Sequence, residues 1–248
     1  MLPQEPLIAR VRQLCAADRR LGAALMYGSF AQDETDGPGE AAKCKHADEH
    51  SDIEFWLFFD DDPGDPARWI AQVAPPIHVV VNEFGAHVAF FPGLIRGEFH
   101  FATAADVAEV RHWPARGGAV AVLDRRGELV PVLRALPERP PIEDAEVICG
   151  RFANWLLLAH HVHRRGEHLR ALDALAHAQR HLLWMARLAE VRTEHWLTPS
   201  RAAERELATD FPHTHEDVRE AWRTGRALWT RLATPPAALF AELDSAIG

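Results

Sequence analysis

Apolar positions along the chain change their period once, and that change divides it. Leu7, Ile8, Val11, Leu14 and Cys15 recur at three- and four-residue spacing, which predicts a helix from Glu5 to Arg20. A short buried strand from Gly22 to Tyr27 follows and ends at Gly28-Ser29. From Asp52 to Phe59 alternation takes over, so that Asp52, Glu54, Trp56 and Phe58 share one strand face while Ile53, Phe55, Leu57 and Phe59 take the other. Asp65-Pro66 reads as the N-cap and first-turn proline of a helix through Val73. Three strand-like runs come next, Ile77 to Asn82, His87 to Phe91 and Leu94 to Phe101. Gly85 and Pro92-Gly93 separate them, which suits hairpins. In the last run Glu98 and His100 face the same way. Thr103 to Asp106 is a capping box that starts a helix, and Ala119 to Leu123 is a further apolar run before the turn at Asp124 to Gly127.

Beyond Leu136-Pro137-Glu138-Arg139-Pro140-Pro141, a stretch that resists both helix and central strand, only helical periodicity remains. Val147 or Ile148, then Phe152, Trp155, Ala159 and Val162, form one stripe, which ends at Gly166. Leu169, Leu172, Leu175, Leu182, Met185 and Ala189 form a second. Thr198-Pro199 opens a third helix and Thr214 to Asp217 caps a fourth, which carries Val218, Trp222, Trp229 and Leu232. The expected architecture is α+β: an N-terminal mixed-sheet domain over 1–136, then a C-terminal helical-bundle domain over 142–248.

Composition narrows the function. At 248 residues each half is long enough for its own core. A net charge of -9 argues against a nucleic-acid partner, because backbone binding needs lysine and arginine to release counterions; a cationic small molecule suits this surface better. Three dispersed cysteines make no disulfide framework and point to a reducing compartment. No basic segment leads into an apolar one at the start, and no apolar run reaches ~18 residues. The expectation is a cytoplasmic protein without a membrane partner.

The chemistry gathers around two short segments. Asp52 and Glu54 stand at i and i+2 on one strand face, where both carboxylates can hold one Mg2+, an ion that takes hard oxygen ligands from one or two carboxylates and from substrate phosphates. Gly28 lets the backbone approach a phosphate that the Ser29 hydroxyl can hydrogen-bond. Other centres are weaker. Cys44, His46 and His50 lack a fourth zinc ligand, and His177 and His181 point away from the leucine stripe toward solvent or an interface. Trp184 lies on that polar side, as at a dimer or substrate contact. Gly37 to Ala42 fits a relaxed dinucleotide fingerprint, but no strand precedes it. The chain has no phosphate-binding P-loop, nucleophile elbow or His-Glu-x-x-His motif.

Met26-Tyr27-Gly28-Ser29-Phe30, Ser51-Asp52-Ile53-Glu54-Phe55 and Leu94-Ile95-Arg96-Gly97-Glu98-Phe99-His100-Phe101 together resemble the lincosamide nucleotidyltransferases, within the polymerase-beta-like nucleotidyltransferase superfamily. Weaker similarity runs through Arg164 to Glu167 and around Trp196 to Glu206. The resemblance implies Mg2+ on Asp52 and Glu54, ATP or GTP as co-substrate, and Glu98 as the base for the acceptor hydroxyl. Arg96 and His100 become substrate contacts, the acceptor is a small-molecule antibiotic, lincosamide first, and a homodimer is one expected state. The segment between Ser29 and Asp52 is longer than the family's, and Lys43 or Lys45 would replace its usual basic residue. Two other readings stay open: an aminoglycoside acceptor, which would suit the acidic surface, and a non-catalytic, antitoxin-like module.

Overall fold

Alternation in the first half resolves into one six-stranded sheet. The computed structural model describes residues 1–31, 47–116, 118–137, 144–189, 223 and 234–247. Lys43, Cys44, Lys45 and His46, most of the expected surface loop after Ser29, and the expected third and fourth helices with Trp196, Trp222 and Trp229 lie outside the described residues. The chain divides into two compact units, one comprising Met1–Leu136 with Thr214–Gly248, the other Pro137–His213. The last described helix, Ala237–Ile247, therefore groups with the sheet and not with the helices that follow Pro137.

In the first unit, helix α1 (Glu5–Ala17) buries Ile8, Val11, Leu14 and Cys15, the stripe read from the sequence. The strands are β1 (Leu21–Tyr27), β2 (Ile53–Phe59), β3 (His78–Val81), β4 (His87–Phe91), β5 (Ile95–Thr103) and β6 (Val120–Asp124), in the spatial order β3-β4-β5-β2-β1-β6. All neighbours are antiparallel except β2 and β5, which run parallel and make the sheet mixed. The connection between those two strands contains a short helix, α2 (Pro66–Ile70), whose first amides, from Ala67 and Arg68, donate to the Asp65 side chain. The capping box at Thr103 forms, but the helix it opens, Ala104–His112, is 3-10 in type. A helix absent from the sequence reading, α3 (Leu129–Ala135), follows β6, with the Asp124 carboxylate accepting from the amides of Glu128 and Val130.

Both faces of the sheet are covered, so both alternating sets along a strand are apolar over much of its length. On one face Ala24, Met26, Ile53, Phe55, Leu57, Phe59 and Phe99 pack with the buried side of α1 and with Trp69 and Ile70. On the other, Ala23, Leu25 and Phe58 pack with Val107, Val110, Leu129 and Leu133. Along this second face β2 runs from buried Phe58 through half-buried Trp56 and Glu54 to half-buried Asp52. The functional residues therefore occupy the rim where the apolar cover stops.

In the second unit, α4 (Ala145–Arg164) buries Ile148, Ala159 and Val162, as its stripe predicts. Its partner α5 (His168–Ala189) corrects the sequence reading. The buried positions are Ala171, Ala174 and Ala178, whereas Leu169 and Leu172 are 84% and 60% exposed. The small side chains let the two helices approach closely, and the face that carries them also carries His177, whose ring stacks on Trp155 at 4.2 Å between centroids. His177 is thus a packing residue, and Trp184 is half-buried. Among the described residues no helix is long and apolar enough to cross a membrane.

Candidate active site

Three carboxylates meet at the rim because of strand register. Parallel pairing sets Glu54 opposite Glu98 and Trp56 opposite His100, and antiparallel pairing sets Tyr27 opposite Glu54. Asp52 stands just before β2, at the end of a turn that a buried side chain holds in place. Gln4, 1% exposed, donates its amide to the carbonyls of Glu49 and Ser51 at 2.9 and 2.8 Å, and more weakly to that of Asp48 at 3.4 Å.

Arg96 links the two outer acids. One guanidinium nitrogen lies 2.5 Å from Asp52 Oδ2 and the other 2.5 Å from Glu98 Oε2. The remaining Glu98 oxygen, Oε1, accepts from the Tyr27 hydroxyl at 3.4 Å and faces His100 Nε2 at 3.2 Å. Glu98 is thus fixed from three sides. Glu54, by contrast, has no hydrogen bond or ion pair among the described residues.

The electrostatics follow from this packing. Burial, then the charges of Asp52 and Glu98, push the Glu54 carboxyl up to about 8, with Arg96 working the other way. Burial also raises Asp52, against the pull of Arg96. Arg96 loses some proton affinity to burial but gains more from Asp52 and Glu98, so its charge is secured. Burial lowers His100 despite the nearby Glu98 carboxylate. Burial and the charges of Glu54 and Glu98 hold Tyr27 protonated, as a donor.

Gly28 and Gly97 have steric roles that their motifs do not announce. Gly28 takes a left-handed conformation at φ 81°, and a Cβ there would overlap Glu54 Oε2. The glycine makes room for a carboxylate. At Gly97 a Cβ would fall 2.8 Å from the Phe99 ring and 3.0 Å from that of Phe91, so the Arg-Gly-Glu sequence needs glycine for the core beneath Glu98. Ser29 follows Gly28 at the start of a helical turn.

All of Gly28, Ser29, Asp52, Glu54, Arg96, Glu98 and His100 therefore lie on the adjoining strands β1, β2 and β5 or at their ends. The fold adds residues that sequence reasoning missed. Trp113 packs edge-on against Tyr27 at 5.9 Å and against Trp56 at 6.0 Å, which builds an aromatic wall beside the acids. Strand alternation already placed Trp56 on this face, but Trp113 follows the 3-10 helix and Gln4 precedes α1, with no local signal in either case.

The donor set fits a hard divalent cation. It offers carboxylate oxygens alone, one of them on half-buried Glu54 without a partner among the described residues. No group of three or more His, Cys, Asp or Glu that could hold a metal ion occurs among the described residues.

Residues 142–220 match the family model for the C-terminal domain of lincosamide nucleotidyltransferase-like proteins. Over that span, about a third of the chain, it is similar to lincosamide nucleotidyltransferase-like proteins. That match lies wholly outside the three N-terminal motifs, and it bears out the family resemblance read from them. No curated protein matches this chain. Among solved structures it is similar to a nucleotidyltransferase-like protein from Exiguobacterium sibiricum, with 12% identity and a TM-score of 0.31 over 84% of this chain and 63% of that one. It is similar also to a CCA-adding enzyme in complex with CTP, with 12% identity and a TM-score of 0.35 over 84% of this chain and 51% of that one. A third is the Thermotoga maritima CCA-adding enzyme complexed with tRNA, with 13% identity and a TM-score of 0.33 over 96% of this chain and 64% of that one. The chain thus spans 51 to 64% of the length of these solved structures.

Proposed function

We propose that this protein transfers a nucleoside monophosphate from ATP or GTP to a hydroxyl of a small-molecule antibiotic, a lincosamide first, with release of pyrophosphate. The observation that carries the reading is the register pair of Glu54 and Glu98, which sets a metal-type carboxylate beside a carboxylate held as a base. The family match over 142–220 supports the same chemistry. In this reading Asp52 and Glu54 hold Mg2+, which when bound supplies charge for the phosphates and orients the leaving pyrophosphate. Gly28 and Ser29 meet the phosphates. Glu98, steadied by Tyr27, His100 and Arg96, accepts the proton of the acceptor hydroxyl as its oxygen bonds to the alpha-phosphorus and the bond to the pyrophosphate oxygen breaks. Net acidity favours a cationic acceptor, as the basic amine of a lincosamide provides.

The test is mass spectrometry of lincomycin, clindamycin and an aminoglycoside panel after incubation with protein, Mg2+ and each nucleoside triphosphate. One drug gains a nucleoside monophosphate, and Asp52→Asn lowers the rate at least ~10²-fold. Absence of any adduct across the panel sinks the antibiotic assignment, and an undiminished Asp52→Asn sinks the metal role.

A further inference from the structure

Arg96 sits where the proposed reaction needs positive charge but where a metal ion also has to bind. Its planar fork spans Asp52 Oδ2 and Glu98 Oε2 at 2.5 Å each, and so sets a positive charge against the carboxylate that an ion shared with Glu54 would also use. Without that guanidinium, three carboxylates would face one another on adjoining strands: Asp52, its strand neighbour Glu54, and Glu98 across the register. Among the described residues no lysine or second arginine makes an ion pair with any of the three. Arg96 is only 34% exposed, and its stem leaves β5 from the position before Gly97, so the backbone that carries Glu98 carries the counter-ion too.

We propose that Arg96 is a built-in surrogate cation: it neutralises the carboxylate cluster of Asp52, Glu54 and Glu98, and divalent metal displaces it from Asp52. The inference rests on the proposed metal role of Asp52 and Glu54. Two consequences distinguish it from a merely structural ion pair. First, metal binds only those molecules in which Arg96 has withdrawn from Asp52, so the apparent affinity is reduced by that fraction. Second, the displaced guanidinium remains tethered to Glu98, beside the place where the triphosphate brings negative charge. A planar fork there matches phosphate oxygens. Metal loading thus converts a residue that bridges Asp52 and Glu98 into one that contributes to nucleotide binding, and the two ligands reinforce each other.

Mn2+ titration of the full chain without nucleotide, followed by the electron paramagnetic resonance signal of the free ion, tests this directly. Arg96→Gln binds Mn2+ about five- to tenfold more tightly than the unsubstituted protein, since a pair of this exposure holds back roughly that factor. Arg96→Lys keeps the charge but cannot span both acids, and it shifts affinity in the same direction by less; it also serves should Arg96→Gln fold poorly. With Mn2+ saturating, a non-hydrolysable triphosphate analogue binds Arg96→Gln about tenfold more weakly. If Mn2+ binds the unsubstituted protein, is lost in Asp52→Asn, and is unchanged or weakened in both Arg96 variants, displacement is wrong while the metal site stands. If Mn2+ binds none of these proteins, the metal site and the displacement fall together.

Discussion

Trp56 lies flat on His100, with ring centroids 4.4 Å apart and planes 16° from parallel. The stack is a product of register, because parallel β2 and β5 set these two residues opposite each other. It turns His100 Nε2 toward Glu98 Oε1 and keeps the imidazole buried, which lowers its proton affinity. His100 is therefore neutral at pH 7 and donates one hydrogen bond to the proposed base. Trp56→Leu opens that shelter, so His100 takes up its proton at higher pH and sets a positive charge against the proposed base. The expected pH-rate profile of the proposed transfer loses activity earlier on acidification than that of the unsubstituted protein, with kcat down about tenfold at pH 7. Superimposable profiles would remove the Trp56–His100 stack from the mechanism.

Glu54 should make the metal-free protein sensitive to alkali. Its carboxyl titrates near 4.5 when unfolded and is pushed up to about 8 in the fold, chiefly by burial. The folded chain then holds a proton that the unfolded chain has released, so stability present below about 4.5 is lost as pH rises through about 8. Glu54→Gln abolishes this dependence. In metal-free buffer its melting temperature should exceed that of the unsubstituted protein at pH 8, and the gap should close toward pH 4.5. A gap that is constant with pH would contradict the assignment.

Gly28→Ala combines two penalties. The left-handed backbone at φ 81° disfavours any side chain, and the new methyl group meets Glu54 Oε2. A loss of about 1–3 kcal/mol in urea unfolding is expected from the backbone conformation alone. Displacement of Glu54 should also weaken Mn2+ binding, so Gly28→Ala with Glu54→Gln costs less than the two separate changes added together. Strict additivity in the double-mutant cycle would show that Gly28 and Glu54 act independently.

Gln4 fixes the turn that presents Asp52. Its amide donates to three backbone carbonyls, so Gln4→Ala should cost about 1–3 kcal/mol. Gln4→Glu should cost more, since a carboxylate offers no donor to those carbonyls and adds buried charge. Both variants should bind Mn2+ more weakly, although neither touches the site. Urea midpoints in the order unsubstituted, Gln4→Ala, Gln4→Glu check the first statement, and Mn2+ affinity checks the second.

The sequence by itself determined the parts whose cause is local. Alternation from Asp52 to Phe59 put Glu54 and Trp56 on one face, the three- and four-residue spacing of Ile8 to Cys15 defined α1, and two helix starts were marked by carboxylates that accept from nearby amides, Asp65 from Ala67 and Arg68 and Asp106 from Thr103. The mixed α+β class and the family resemblance were legible for the same reason. Both depend on patterns and motifs contained in short stretches.

Tertiary structure decided what depends on partners distant in the chain. Periodicity gives each strand two faces but not its neighbour, and only the parallel β2–β5 pairing brings Glu54 opposite Glu98 and lets Arg96 reach Asp52. Helix spacing marked the leucines of α5 as its core face, yet close approach to α4 favours small side chains, so Ala171, Ala174 and Ala178 are buried instead. The 3-10 geometry after Thr103, the helix Leu129–Ala135, and the roles of Gln4 and Trp113 left no local trace. Each is fixed by contact energy between segments that meet only when the sheet has formed.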